Sequence, residues 1–279
     1  VHKGIWFVIL LIGVLALAFS EDQLLGEAPA SQRRPSAPSQ PPPPTGPPLP
    51  GGTPADPILV IEFDPPTDRI GTGFAIGAGL WMTASHVVEG CAALGVMTSA
   101  RAGLRAALVA AHPVADVSII RTEGSGPALA LALTAGDLKV GQGVFHFGFP
   151  EGRPGDAASH LIGRIKLHTP GRRGLAPLLA WAESSRVPAT PSLGGMSGGP
   201  TVDGAGRVVG VTVAESVRRG RIFTAAPASM AGVVGLSGAS PAGTPSAGVR
   251  RETLTPTDYP AHGDRLREQL TVARIVCLI

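Results

Sequence analysis

Gly195-Met196-Ser197-Gly198-Gly199-Pro200 sets a serine among glycines, a few residues ahead of the apolar run Val208-Val209-Gly210-Val211-Thr212-Val213. A serine hydroxyl is a poor nucleophile until a base takes its proton and hydrogen-bond donors hold the oxyanion that forms. A glycine two positions before the serine lets the backbone turn so that two N–H groups converge on one point. Glycines after it let a substrate backbone approach closely. By itself the hexapeptide could be a simple turn; what precedes it gives it meaning.

Upstream lie Met82-Thr83-Ala84-Ser85-His86-Val87-Val88 and Ala115-Asp116-Val117-Ser118-Ile119-Ile120, with Gly71-Thr72-Gly73-Phe74 one strand before the histidine. A base, an orienting carboxylate and a nucleophile thus come in the order His86, Asp116, Ser197, one of the chain orders in which catalytic triads occur. Taken singly, His86 reads as a core histidine, Asp116 as a turn or cap residue and Ser197 as a turn serine. Order and context together argue for joint chemistry. His112 stands near Asp116, but His112-Pro113 reads as a turn. His146, His160 and His168 lie in no motif.

From Ile58 onward short apolar runs alternate with glycine and proline: Ile58–Ile61, Gly73–Ile76, Leu80–Thr83, Ala107–Ala110, Val117–Ile120, Val144–Phe149 and Val208–Val213. Such spacing predicts an all-β sandwich or barrel.

The phrases G-T-G-F, T-A-S-H-V-V, D-V-S-I-I and G-M-S-G-G-P together resemble the trypsin-like peptidases, and within them the bacterial Deg-type (high-temperature-requirement) branch, over about residues 58–236. The resemblance implies a chymotrypsin-like fold: all-β, two six-stranded antiparallel β-barrels with the active site in the cleft between them. The first barrel would end near Pro150 and carry His86 and Asp116; the second would begin near Leu161 and carry Ser197. The implied activity is serine endopeptidase, with Gly195 and Ser197 N–H as the oxyanion hole and no cofactor. Met196 departs from the asparagine or aspartate common in the family. Its side chain is not needed for the hole, but a Met196 that turned the Gly195 amide away would leave the resting enzyme inactive.

For the pocket that receives the side chain before the cut bond, the resemblance puts Pro191 at the floor. Val213-Ala214-Glu215 and Ile222-Phe223-Thr224-Ala225 would form the walls. Proline cannot pair with a basic side chain, and the walls are mostly small or apolar, so a small aliphatic residue is expected there. Glu215 at the mouth would instead favour a basic one. The edge strand near Val213 is expected to pair with an extended substrate backbone. The competing reading is a catalytically silent scaffold that binds extended peptides. The trimer common in the Deg-type branch would be a homo-oligomer, and it needs matching contacts.

The rest of the chain is read from composition. The 279 residues are 44% hydrophobic and 15% charged, with net charge +3, too small to argue for nucleic acid. The seven histidines are dispersed, which predicts no metal site. His2-Lys3 precedes an apolar run, residues 4–19, and then Ser20-Glu21-Asp22. This is either a removed signal peptide over residues 1–20 or a signal anchor holding the chain to a membrane. Both readings place the remainder outside the cytoplasm. Residues 21–57, with Pro41-Pro42-Pro43-Pro44, are expected to be an extended spacer. After a short helix at about Ala228–Leu236, residues 237–279 read as a linker and short tail, with a helix at Asp264–Ala273 and a strand at Arg274–Ile279 that docks on something. The family's usual peptide-binding PDZ module is not seen. Cys91 and Cys277 are the two cysteines, either one bridge permitted by an exported setting or two small buried hydrophobes.

Overall fold

A computed structural model of the chain describes residues 46–61, 68–170, 174–238 and 253–279. The apolar segment 4–19, most of the proline-rich stretch and residues 239–252 lie outside the described residues. The strands in chain order are β1 (Ile58–Val60), β2 (Arg69–Gly77), β3 (Leu80–Thr83), β4 (Ala93–Met97), β5 (Gly103–Arg105), β6 (Ala107–Ala111), β7 (Ser118–Arg121), β8 (Ala130–Leu131), β9 (Gly143–Gly148), β10 (Gly155–His168), β11 (Ala176–Val187), β12 (Pro200–Asp203), β13 (Arg207–Ser216), β14 (Arg221–Ala225) and β15 (Val272–Leu278).

They form two sheets. The first curls through seven strands in the order β5-β4-β15-β2-β3-β7-β6. In the second, β10-β11-β14-β13-β12-β9 closes on itself through β9–β10 pairing, giving a six-stranded antiparallel barrel. Closure removes the free edges that an open sheet exposes. One six-stranded barrel is as the resemblance implies; its companion is a curled sheet of seven strands rather than six, and the all-β arrangement is consistent with the chymotrypsin-like two-barrel fold.

Side chains alternate across each strand, and the core divides accordingly. Phe74 and Ile76 of β2 join Phe145 and Phe147 of β9 in one cluster that draws on both sheets. The intervening Ala75 packs with Trp81, Ile120 and Ile275, all from the first sheet. Val144 packs with Leu179, Trp181 and Ile222 of the second. Each sheet therefore encloses its own core, and the third cluster joins them. The two buried indoles are satisfied alike: Trp81 Nε1 donates to Thr122 Oγ1 and Trp181 Nε1 to Thr224 Oγ1, each at 2.8 Å.

Four details differ from the sequence reading. First, the division between barrels lies earlier than Pro150, because β9, expected in the first barrel, pairs with β10 and β12 of the second. Likewise β1 runs parallel to β10, at the edge of the second sheet. Second, the last proline-rich residues are not a free spacer. Proline lacks an N–H but keeps its carbonyl, and the carbonyls of Pro47, Pro50, Pro54 and Pro57 accept bonds from Val140 N, Arg164 Nε, Lys166 Nζ and Lys166 N.

Third, the C-terminal helix spans Tyr259–Glu268, not Asp264–Ala273. Proline is tolerated in its first turn, and the chain breaks at Leu270, which adopts a left-handed φ of 55°. Fourth, the strand that follows is a central member of the first sheet, paired with β2 on one side and β4 on the other. Cys277 on it is bonded to Cys91, with 5.3 Å between Cα atoms. The helix after β14 runs Pro227–Ser237 and ends at Gly238 in the left-handed region.

One buried group gives the fold an acid dependence. His146 is fully buried, bonded to Ser159 Oγ at 2.7 Å and Thr201 Oγ1 at 3.0 Å. Desolvation pushes its pKa down to about 3 from 6.5. Below pH 6.5 the unfolded chain takes up a proton that the folded chain refuses, so stability falls as pH drops toward 3, by about 2 kcal/mol between pH 7 and pH 5. Burial raises Asp156 to about 6 against the pull of Arg267, so it acts oppositely between about 6 and 3.8 and adds stability on acidification. Comparing wild type with His146→Gln cancels that contribution. Denaturant melts at pH 5 and pH 7 should show a smaller acid loss in the variant.

Candidate active site

His86 lies in the one-turn helix Ser85–Val88, directly after β3. Asp116 occupies the turn between β6 and β7, and β7 pairs with β3. That pairing brings the two together, and a buried Ser85 Oγ···Ser118 Oγ bond of 2.7 Å fastens the segments. Asp116 Oδ2 lies 2.5 Å from His86 Nδ1, and Oδ1 accepts the His86 backbone N–H at 2.8 Å. The carboxyl is 1% exposed and the imidazole 16%, so the acid is hidden while the ring keeps an open edge. A carboxylate on Nδ1 fixes the tautomer that leaves Nε2 able to accept a proton.

Ser197 comes from the loop before β12, in the second barrel. Its backbone carbonyl accepts from Thr72 N of β2 at 2.8 Å, and the next amide, Gly198 N, donates to Thr212 O at 2.7 Å. Gly198 has φ of 89°. A Cβ there would sit 2.2 Å from Thr72 O and 2.8 Å from Ala84 N, two residues before His86. Only glycine permits that approach. Ser197 Oγ itself donates to Val213 O at 3.4 Å. The Ser197 loop of one barrel is thus locked onto the strand and turn of the other that carry His86.

Met196 is fully buried in the second barrel's core. The Gly194 carbonyl accepts from Glu151 N at 2.5 Å. Because a trans peptide is planar, the Gly195 N–H points the opposite way. Neither Gly195 N nor Ser197 N donates to a protein acceptor among the described residues.

The pocket residues are dispersed in role. Pro191 is exposed and Ala214 is half-buried. β12 leaves β13 after the Pro200–Val211 pair, and among the described residues no strand pairs with the edge from Val213 onward on that side. Thr224 is fully buried with its hydroxyl on Trp181, which makes it a core residue of the barrel rather than a pocket wall. Glu215 reaches from β13 to the Ser197 loop, where Oε1 accepts from Ser192 Oγ and, at 2.6 Å, from Leu193 N. Arg186 lies 3.6 Å from its Oε2 and pairs with Glu183.

His112 Nδ1 accepts from Val114 N and Ala115 N, the turn expected of it. No cluster of three metal-ligating side chains occurs among the described residues. The sequence reading missed Ser192, Arg186, Glu151 and the side chain of Thr72. Of these only Thr72 carried a signal, as the second letter of G-T-G-F.

Two barrels, a His–Asp pair on one and a glycine-flanked serine loop on the other are the arrangement of the two-barrel serine-peptidase fold class. The family model for the trypsin-like peptidase domain matches residues 71–211, half of the chain, and the chain belongs to that family. Curated relatives include proteins named "probable periplasmic serine endoprotease DegP-like". That of Pseudomonas fluorescens is 32% identical over 51% of this chain and 28% of its own length. That of Ectopseudomonas mendocina is 31% identical over 62% and 32%. The match thus spans about a third or less of these relatives. Among solved structures, the active form of the Rv3671c protease from M. tuberculosis covers 68% of this chain and 93% of its own, at 24% identity and TM-score 0.52. That likeness speaks to the fold.

Proposed function

We propose that this chain is an exported serine endopeptidase that cuts extended or unfolded protein segments through an acyl-enzyme on Ser197. The observation that carries the reading is the 2.5 Å His86–Asp116 contact, with the acid buried and the Ser197 loop bonded to the same β2–β3 region. Ser197 Oγ attacks the scissile carbonyl carbon as His86 Nε2 takes its proton. The oxyanion is held by Gly195 and Ser197 N–H. His86 then returns the proton to the leaving amine, and water repeats the sequence on the acyl-enzyme. Asp116 keeps the ring in its tautomer and stabilises its charged form. The edge of β13 from Val213, unpaired among the described residues, supports substrate pairing as an added strand.

Export is supported by the disulfide, which persists in oxidising compartments, by the apolar segment 4–19 and by the periplasmic naming of the relatives. Whether residues 1–20 are removed or anchor the chain to the membrane belongs to the same proposal.

Glu215 supports a narrow pocket. Its carboxylate crosses from β13 to Ser192 and Leu193, the two sides between which the substrate side chain would enter. A small aliphatic residue fits without displacing it. Cleavage of casein and of a peptide library by the full chain tests both levels. Cutting should follow Ala or Val and vanish in Ser197→Ala. In Glu215→Ala, cleavage after Leu and Phe should rise by about tenfold or more, the discrimination that one or two methylenes provide. Binding of casein without cleavage by wild type would favour the silent scaffold.

A further inference from the structure

We propose that Thr72 and Arg274 are positioning residues for the oxyanion hole, Thr72 through the carbonyl of Gly195 and Arg274 through the turn that holds the carbonyl of Gly194. The proposal rests on the reading of Ser197 as nucleophile.

A hole made of backbone amides depends on peptide planes that could rotate. Gly195, at φ of 95°, has no Cβ to restrict it. Each peptide plane flanking it must therefore be held from outside, and each is held through its carbonyl. Thr72 Oγ1 donates to Gly195 O at 2.8 Å and accepts from Phe149 N at 3.1 Å. Thr72 is fully buried, so both of its partners would be stranded without the hydroxyl. Thr72 belongs to the first barrel, whereas Gly195 and Phe149 belong to the second.

The other plane is held by Glu151 N on Gly194 O. Glu151 sits in the short turn Pro150–Gly152 with φ of 52°, a conformation that non-glycine residues adopt at a cost. Surrounding contacts must impose it. Arg274 of β15 donates to Gly152 O at 3.2 Å, and Arg267 of the helix Tyr259–Glu268 donates to Gly148 O at 3.3 Å. The C-terminal segment thus holds Gly152 at the end of the turn and Gly148 two residues before its start, and the turn's middle amide orients the hole. This gives the tail a catalytic consequence without placing any of it against substrate.

The test is steady-state kinetics of full-length wild type, Thr72→Val, Thr72→Ser and Arg274→Met on one peptide substrate, with inhibition by the matching peptide aldehyde. The aldehyde's hemiacetal on Ser197 places an oxyanion in the hole. Thr72→Val should lower kcat roughly 10- to 100-fold with KM within about threefold, on the scale of losing part of one hole donor. Aldehyde affinity should weaken in parallel. Thr72→Ser should recover most of the loss. Arg274→Met, which keeps the stem, should lower kcat about 3- to 10-fold with the same split.

Wild-type kcat in Thr72→Val, a loss confined to KM, or an unaltered aldehyde affinity overturns the role of Thr72. If Thr72→Val does not fold, Arg274→Met decides, and wild-type kcat there overturns the proposal. A wild type that neither cleaves nor reacts with a fluorophosphonate overturns the reading of the site itself, which is a different result from an active wild type matched by its variants.

Discussion

Replacing Ser197 or His86 by alanine is expected to lower kcat by about 10⁶-fold, and Asp116→Asn by about 10⁴-fold, with little change in KM. The double variant Ser197→Ala/His86→Ala should be no worse than the poorer single one. The reason is that in the proposed mechanism the three groups perform one proton transfer. Without Ser197 there is no oxygen for His86 to activate, and without His86 the hydroxyl keeps its proton. Asp116→Asn has an added cost here, because the same carboxylate holds both the ring and the backbone amide of His86. An asparagine that donates toward Nδ1 selects the wrong tautomer. Residual cleavage would come from the oxyanion hole and substrate binding. Additive losses in the double variant would show that the residues act separately, which the geometry does not support.

Deleting residues 272–279 is expected to abolish cooperative folding. β15 fills the gap between β2 and β4, pairing Val272 with Phe74 and Cys277 with Arg69 on one side and Arg274 with Met97 on the other. Val272, Ala273, Ile275 and Cys277 are buried. Burying a Val or Ile side chain stabilises by roughly 1.5–3 kcal/mol. Loss of the bridge to Cys91, which closes a 186-residue separation, removes about 2–5 kcal/mol more. Together these approach the roughly 5–15 kcal/mol net stability of a typical domain, and two strand edges would be left open. The milder Cys277→Ser keeps the strand and should lower Tm by about 5–15 °C. A truncated chain that melts cooperatively near wild type would contradict the placement of β15.

The residues proposed to carry chemistry could be singled out because each sits in a short local phrase. T-A-S-H follows the strand-forming run that became β3 and D-V-S-I-I ends on the one that became β7, and G-M-S-G-G-P has Gly195 and Gly198 at positive φ. The long β10 and β11 were not legible. Their apolar residues are mixed with Asp156, His160, Arg164 and Lys166, and pairing within the barrel rather than local pattern makes them strands. The same holds at the C-terminus. Ala273 reads as helix by propensity but pairs with Gly73, since tertiary pairing outweighs a weak local preference. Contacts between segments distant in the chain, such as Thr72 on Gly195 across the two barrels or Glu215 on Leu193 within the second, join positions over a hundred or about twenty residues apart. No local phrase records them.

The central claim is that two barrels assemble one activated serine. It is tested most directly by treating the folded full chain with a fluorophosphonate and locating the adduct by peptide mass spectrometry. One adduct on Ser197, formed by wild type and lost in both Ser197→Ala and His86→Ala, is the expected result. An unmodified Ser197 in a folded, disulfide-bonded wild type, or labelling that persists without His86, would contradict the account.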